Sequence, residues 1–377
     1  MNKLTLRTKT GVMVVAGLAV VFAQMLFAPR AEAQAGAVAP VAKKAGTVVQ
    51  AKVHGAALEG NLLGDSAERN VTIYLPPGYA TSSKRYPVVY LLHGYMSSNA
   101  DWGNVPEILN RLIGAGKIRG MIVVMPDASN KFLGSFYTNS ATTGKWEDFV
   151  TRDLVKYVDE KYRTVARASG RGIAGHSMGG YGSLKLGMKH PEIFGAIYSL
   201  SACCMEWGSD LSLGNPGWDK TLEFKSADDF VAAHKYLDSL KSDKEQFGTF
   251  FSLVFVAMAV AWSPDPKRPP FFADFPVEGR GASRKPIEAV QAEWSANLIV
   301  PMTSRYSSNL RRLRGIALDV GEQDEFAHII AGAHDFDKLL KQNNIPHEFE
   351  TYQGNHGNKI GERLENKVFP FFSKMFQ

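Results

Sequence analysis

Gly172-Ile173-Ala174-Gly175-His176-Ser177-Met178-Gly179 is the stretch that decides the fold. A very short apolar run ends at Gly175, and a helical pattern over 179–190 follows and stops before Pro191. A serine hydroxyl is a poor nucleophile. Presenting it to both a base and a substrate carbonyl requires a sharp turn from strand to helix, and the glycines flanking Ser177 permit that turn's close contacts. The motif alone is weak, but the strand before it and the helix after it are the context the chemistry demands. Ser177 is the expected nucleophile.

Outward from that turn, continuously apolar or alternating runs bounded by turn residues read as strands over 71–75, 86–92, 121–125, 172–174, 194–200, 315–320 and 347–352. Helical spacing covers 147–162, 179–190, 326–342 and 361–375, with Val150, Leu154, Tyr157, Val158 and Tyr162 on one face of the first. Apolar strands alternating with helices predict a mostly parallel sheet covered on both faces. The stretch from about 205 to 308 breaks the rhythm. It is expected to be a large cap-like insertion over the C-terminal strand ends, where ligands bind in open α/β folds. Its apolar run 250–262 fits either buried packing or a lipid-facing lid. At 13 residues and about 1.5 Å per residue it is too short to span a bilayer.

Acyl chemistry needs donors for an oxyanion and a base held by an acid. The Met178 N–H, at the helix start, is one expected donor. The Tyr95 N–H, in Leu91-Leu92-His93-Gly94-Tyr95, is the other. The base and acid are expected in loops after later strands. Among nine histidines, His54, His93 and His176 precede Ser177, and His190, His234, His328, His334 and His347 fall on helices, in the insertion or at a strand start. His356, in Gly354-Asn355-His356-Gly357, follows a strand and is the expected base. Asp324 projects from the loop Gly321-Glu322-Gln323-Asp324 and leads as the acid over Asp319, which lies inside its strand and reads as a buried hydrogen-bonding carboxylate. Trp102, Phe132, Phe136 and Tyr137 flank strand-end loops and could line an acyl pocket or pack in core and rim; Trp102, Phe136 and Tyr137 are the pocket candidates.

These residues resemble a known family. Tyr74-Leu75-Pro76-Pro77-Gly78-Tyr79, Tyr90-Leu91-Leu92-His93-Gly94, Gly175-His176-Ser177-Met178-Gly179-Gly180 and Asp319-Val320-Gly321-x-x-Asp324 look like the esterase D-type α/β-hydrolases, which include feruloyl esterases, S-formylglutathione hydrolases and mycolyltransferases. The resemblance covers most of 48–377. It implies an α/β-hydrolase fold, a Ser177–His356–Asp324 triad, and Tyr95 and Met178 amides as the oxyanion hole. One departure is Gly357-Asn358-Lys359 after the histidine, where relatives often place an acidic and then an aromatic residue.

Composition bounds the rest. The chain has 377 residues, 45% hydrophobic and 21% charged, ample for a packed core, and two cysteines, too few for a disulfide scaffold. Three cations, an apolar stretch over 11–28 and Ala31-Glu32-Ala33 read as a secretory signal over 1–33, with an uncleaved anchor as the alternative; 34–47 reads as a flexible lead-in to a catalytic domain over 48–377. That leader carries +3 of the net +6, so the remainder gives no footprint for nucleic acid, and Arg311, Arg312 and Arg314 read as a solvated face. Export would make the environment oxidising for Cys203-Cys204, which reads as two small residues closing a buried strand or as a strained eight-membered ring. No cofactor or metal is expected, and the partner is a small-molecule ester. The resulting expectation is an exported serine carboxylesterase for short-chain or aromatic acyl esters. An acyltransferase with the same triad and a non-catalytic envelope-binding protein are the alternatives.

Overall fold

The computed structural model describes residues 45–376. The expected signal over 1–33 and nearly all of the expected lead-in lie outside them. Eight strands form one sheet: β1 (Thr47–His54), β2 (Glu68–Leu75), β3 (Val88–Leu92), β4 (Ile122–Pro126), β5 (Arg171–His176), β6 (Ala196–Leu200), β7 (Gly315–Gly321) and β8 (Glu348–Tyr352). Their spatial order is β1-β2-β4-β3-β5-β6-β7-β8. The pairs β1/β2 and β2/β4 are antiparallel, and every pair from β4 to β8 is parallel. The order reverses at β3, and β5, which carries the serine, is the next strand inward.

The main helices are α1 (Val105–Gly114), α2 (Val155–Lys161), α3 (Met178–Lys189), α4 (Gly217–Thr221), α5 (Ala227–Tyr236), α6 (Asp243–Trp262), α7 (Glu288–Ser295), α8 (Ile299–Leu310), α9 (Ala327–Gln342) and α10 (Phe369–Met375). The pleat divides each central strand between two cores. Val88, Tyr90 and Leu92 join the larger one with Leu184 of α3, Phe336 of α9 and the insertion. Val89 and Leu91 join the smaller one with Leu109 of α1 and Phe372 of α10.

The departures from the sequence reading have local causes. β1 begins at Thr47, the last residue expected in the lead-in, and only Val53 of the strand is buried. It is an edge strand with a sparse apolar face, so its alternation is faint. Pro87 supplies no N–H, and β3 starts after it, leaving Tyr86 in an isolated bridge with Thr164. The expected helix over 147–162 contains a π-helical turn, Phe149–Leu154, where the Thr151 hydroxyl donates to the Glu147 carbonyl at 2.7 Å. The final helix is broken the same way at Leu364–Val368.

α6 corrects a length argument. It has 20 residues, not 13, about 30 Å, and by length and composition alone could cross a membrane. Instead, 72% of its most apolar window is buried inside the protein. Trp218 of α4 stacks on Phe255 at 3.6 Å between ring centroids, and Trp262 meets Trp294 of α7 edge-on. A helix apolar all round is the hub of a buried layer, and here it organises the insertion between β6 and β7.

Candidate active site

Ser177 lies between β5 and α3 with φ 57° and ψ −116°, a strained conformation for a residue other than glycine. The strain is held by hydrogen bonds at both ends of the residue. Its N–H donates to the Leu200 carbonyl at 2.9 Å, and its carbonyl accepts from Tyr181 at 2.9 Å and Cys203 at 3.3 Å. The flanking glycines are required by space. A Cβ on Gly179 would stand 2.1 Å from the Leu92 carbonyl oxygen, and one on Gly175 would stand 2.3 Å from that of Gly179. Gly179→Ala should therefore cost about 3 kcal/mol or more, read as a lowered urea midpoint; an unshifted midpoint would show that the turn can open without cost.

His356 follows β8, and its Nδ1 lies 2.7 Å from Asp324 Oδ2. The Asp324 side chain is fully buried, that of His356 17% exposed. Asp324 Oδ1 accepts the Phe326 N–H at 3.0 Å, so both carboxylate oxygens are engaged and the carboxylate is fixed. With Nδ1–H donated to Asp324, Nε2 is the basic nitrogen. The ring is further held by Phe326, edge-on at 5.0 Å. Its backbone is anchored by Glu325, which accepts the His356 N–H at 3.1 Å, and by His176, whose Nε2–H donates to the His356 carbonyl at 2.7 Å. Burial pulls the His176 pKa down to about 3, helped by the neighbouring His356, which keeps His176 a neutral donor. Asp319 is elsewhere. Inside β7 it accepts from Tyr198 at 2.9 Å and pairs with Arg363 at 2.7 Å. Burial pushes its carboxyl up to about 6 against the pull of that arginine.

The loop after β3 completes the site. His93 is buried; its Nδ1–H donates to the Gly94 carbonyl at 2.8 Å, while its Nε2 accepts the Ala128 N–H at 2.8 Å. In a trans peptide the N–H points opposite to the carbonyl, so fixing the Gly94 oxygen aims the Tyr95 N–H away from His93. A Cβ on Gly94 would stand 3.4 Å from the Ser177 Cβ. The Met96 N–H is taken by the Leu133 carbonyl, whereas Met178, the first residue of α3, has no intrahelical acceptor for its N–H. The positioning roles of His93 and His176 were missed by the sequence reading, which asked only whether each histidine could be the base. Their signal was placement, each directly beside a glycine of a strand-end motif.

Two cavities meet at Ser177. A cleft of about 480 Å³ is lined by Ser177, His356 and Trp102 with the polar Ser97, Asp101 and Asn104. A tight apolar cavity of about 30 Å³ is lined by Ser177, Phe136, Cys203, Cys204, Phe250 and Phe326 among others. Trp102 and Phe136 thus line space beside Ser177. Tyr137 lines neither cavity: its ring fills the space beside Gly182 and its hydroxyl donates to the His93 carbonyl at 2.9 Å. Phe132 packs in the core against Phe230 and Phe271. Among the described residues no group of three or more His, Cys, Asp or Glu is placed to hold a metal ion.

Lys185, on α3 below the Ser177 turn, is buried with neutral partners. Its Nζ donates to Thr138 Oγ1 at 2.6 Å, Asn297 Oδ1 at 2.8 Å and the Tyr181 hydroxyl at 3.1 Å. Burial pulls its pKa down to about 7, Lys189 acting in the same direction and Glu147 against it. Between pH about 7 and 10 the unfolded chain therefore holds a proton that the folded chain has released, and stability rises with pH. Relative to Lys185→Met, the wild type should gain on the order of 3 kcal/mol across that window, read from urea unfolding. Parallel curves would mean the lysine is charged where it lies.

The parallel sheet, the strained strand-to-helix serine and the loop histidine paired with a buried aspartate define an α/β-hydrolase. Solved structures share the fold: a ferulic acid esterase at TM-score 0.58 and 22% identity, covering 88% of this chain and 99% of that one, and an S-formylglutathione hydrolase from Agrobacterium tumefaciens at 0.56 and 15%, covering 88% and 96%. The profile of the family described as putative esterase matches residues 66–360, and the chain belongs to that family. Curated relatives include an esterase of Mycobacterium tuberculosis (strain H37Rv), 31% identical over 173 residues, 40% of this chain and 37% of that protein. Another is an endo-1,4-beta-xylanase/feruloyl esterase of Xylanibacter ruminicola, 34% identical over 139 residues, 34% of this chain and 18% of that protein. The chain thus spans well under half the length of these relatives.

Proposed function

We propose that this protein is a serine carboxylesterase working through an acyl-enzyme. His356 Nε2 takes the Ser177 proton as Oγ attacks the ester carbonyl, and the Tyr95 and Met178 amides hold the oxyanion. His356 then returns the proton to the leaving alcohol, and water resolves the acyl-enzyme by the same steps in reverse. The observation that carries the reading is the 2.7 Å contact between His356 and the buried Asp324, in a cleft that His356 shares with the strained Ser177.

The apolar cavity is the natural seat of the acyl group, and the polar cleft that of the alcohol. At about 30 Å³ the former has room for little more than a methyl group. Longer or aromatic acyl groups would have to displace Phe250 or Phe326. On p-nitrophenyl esters, kcat/KM should be highest for acetate and fall by about tenfold or more by the octanoate. A maximum at long chains would place the acyl group in the larger cleft, and no hydrolysis of any member would remove the esterase reading. The cleft also leaves room for an acceptor alcohol, so the acyltransferase alternative is tested by adding alcohols to the same assay and measuring transfer against hydrolysis.

Export is proposed with it, on the leader's charge and apolar pattern. Protein recovered from the periplasm or medium should begin at Gln34; a Met1 terminus would contradict cleavage.

A further inference from the structure

Cys203 and Cys204 lie on the loop leaving β6, where the proposed hydrolysis uses neither thiol. Side chains of successive residues in an extended chain point to opposite sides. Here Cys204 has φ 59°, and the two Sγ atoms lie 2.7 Å apart. Both residues line the apolar cavity with Ser177. Cys203 is 9% exposed and Cys204 1%. The loop is coupled to the nucleophile, since the Cys203 N–H donates to the Ser177 carbonyl at 3.3 Å. On its other side the Cys204 carbonyl accepts the N–H of Ile299, at the start of α8, at 3.3 Å.

We infer that Cys203 and Cys204 form a reversible dithiol–disulfide couple on the wall of the acyl cavity, oxidised by small organic disulfides and altering acyl selectivity. Cys203, the less buried thiol, loses its proton and attacks one sulfur of the organic disulfide, forming a mixed disulfide and expelling one thiolate. Cys204 then loses its proton and attacks the Cys203 sulfur, closing the eight-membered ring and expelling the second thiolate. Two protein thiols are oxidised, and one organic disulfide is reduced to two thiols. Burial pushes the Cys204 thiol up, so Cys204 keeps its proton while the less buried Cys203 makes the first attack. Closing the ring brings the sulfurs to about 2.05 Å and reorients the peptide between Cys203 and Cys204, next to the Cys203 N–H that holds the Ser177 carbonyl, so cavity shape and the Ser177 turn change together.

The redox couple stands independently of the esterase reading; the effect on selectivity rests on it. The full chain is equilibrated with mixtures of oxidised and reduced glutathione, acid-quenched, alkylated in denaturant and digested. The expected peptide is lighter by two hydrogens, carries no glutathione and appears in increasing fraction as the mixture becomes more oxidising. In the bridged enzyme the KM ratio of p-nitrophenyl butyrate to acetate should shift about threefold or more, return with dithiothreitol, and be insensitive to glutathione in both Cys203→Ser and Cys204→Ser. Two alkylated thiols at every ratio, or separate glutathione adducts without a bridge, would overturn the couple. A bridged enzyme with an unchanged KM ratio would overturn its effect on the cavity. A bridged peptide from a protein that hydrolyses no ester in either state would leave the couple standing and remove the esterase reading.

Discussion

Ser177→Ala and His356→Ala should each lower kcat on p-nitrophenyl acetate by about 10⁵- to 10⁶-fold, and the double variant should lose little more. The serine without the imidazole is a neutral alcohol, and the imidazole without the serine has no bond to form, so the two act as one unit. The residual rate should come from the Tyr95 and Met178 amides, which neither substitution touches. KM should change far less than kcat, because the cleft walls from Trp102 to Ile360 remain. Additive losses in the double variant would mean that His356 serves another step than activation of Ser177, and a mild effect of His356→Ala would return the base to the other histidines.

Asp324→Asn should lower kcat by about 10⁴-fold. An amide at this position can present its NH₂ to Nδ1, which stabilises the tautomer carrying its proton on Nε2, the nitrogen that must stay basic. Asp319→Asn should act differently. Its carboxylate meets Arg363 and Tyr198 in the sheet and has no contact with His356. Its loss leaves a buried guanidinium with Glu350, at 3.0 Å, as its remaining carboxylate partner among the described residues. A stability loss of about 3 kcal/mol is expected, with kcat in the folded protein within a few-fold of wild type. Urea unfolding beside steady-state kinetics separates the two. The reverse ranking in kcat would move the acid to Asp319.

The central parallel strands were legible because they are buried on both faces and end in a turn residue, whereas β8 is half-exposed and shows itself by alternation. Val88–Leu92 into His93-Gly94 and Arg171–His176 into Ser177 are examples of the former. The candidate site was legible because its residues sit at strand ends, where side chains leave the sheet; the same logic sets Asp324, in the loop after β7, apart from Asp319 inside that strand. What could not be read depends on contacts distant in sequence. β1 is defined by its partner β2 rather than by its own faint alternation. The full extent of α6 depends on residues 243–249, whose polar start masks a helix continuous with the apolar run. Tyr137, Trp102 and Phe136 share a composition that suits core and pocket equally, and only the packing around Gly182 sends Tyr137 behind the site. His93 and His176 act through backbone carbonyls of Gly94 and His356, contacts that leave no pattern in the spacing of side chains.

The central claim is that Ser177 is a nucleophile activated by His356. The most direct measurement is labelling with a fluorophosphonate, followed by peptide mass analysis of wild type, Ser177→Ala and His356→Ala. The account predicts one phosphonyl group per chain on the peptide containing Ser177, none in Ser177→Ala, and labelling slowed about a thousandfold or more in His356→Ala. Modification of any other residue, or labelling of Ser177 at an unchanged rate without His356, would contradict it.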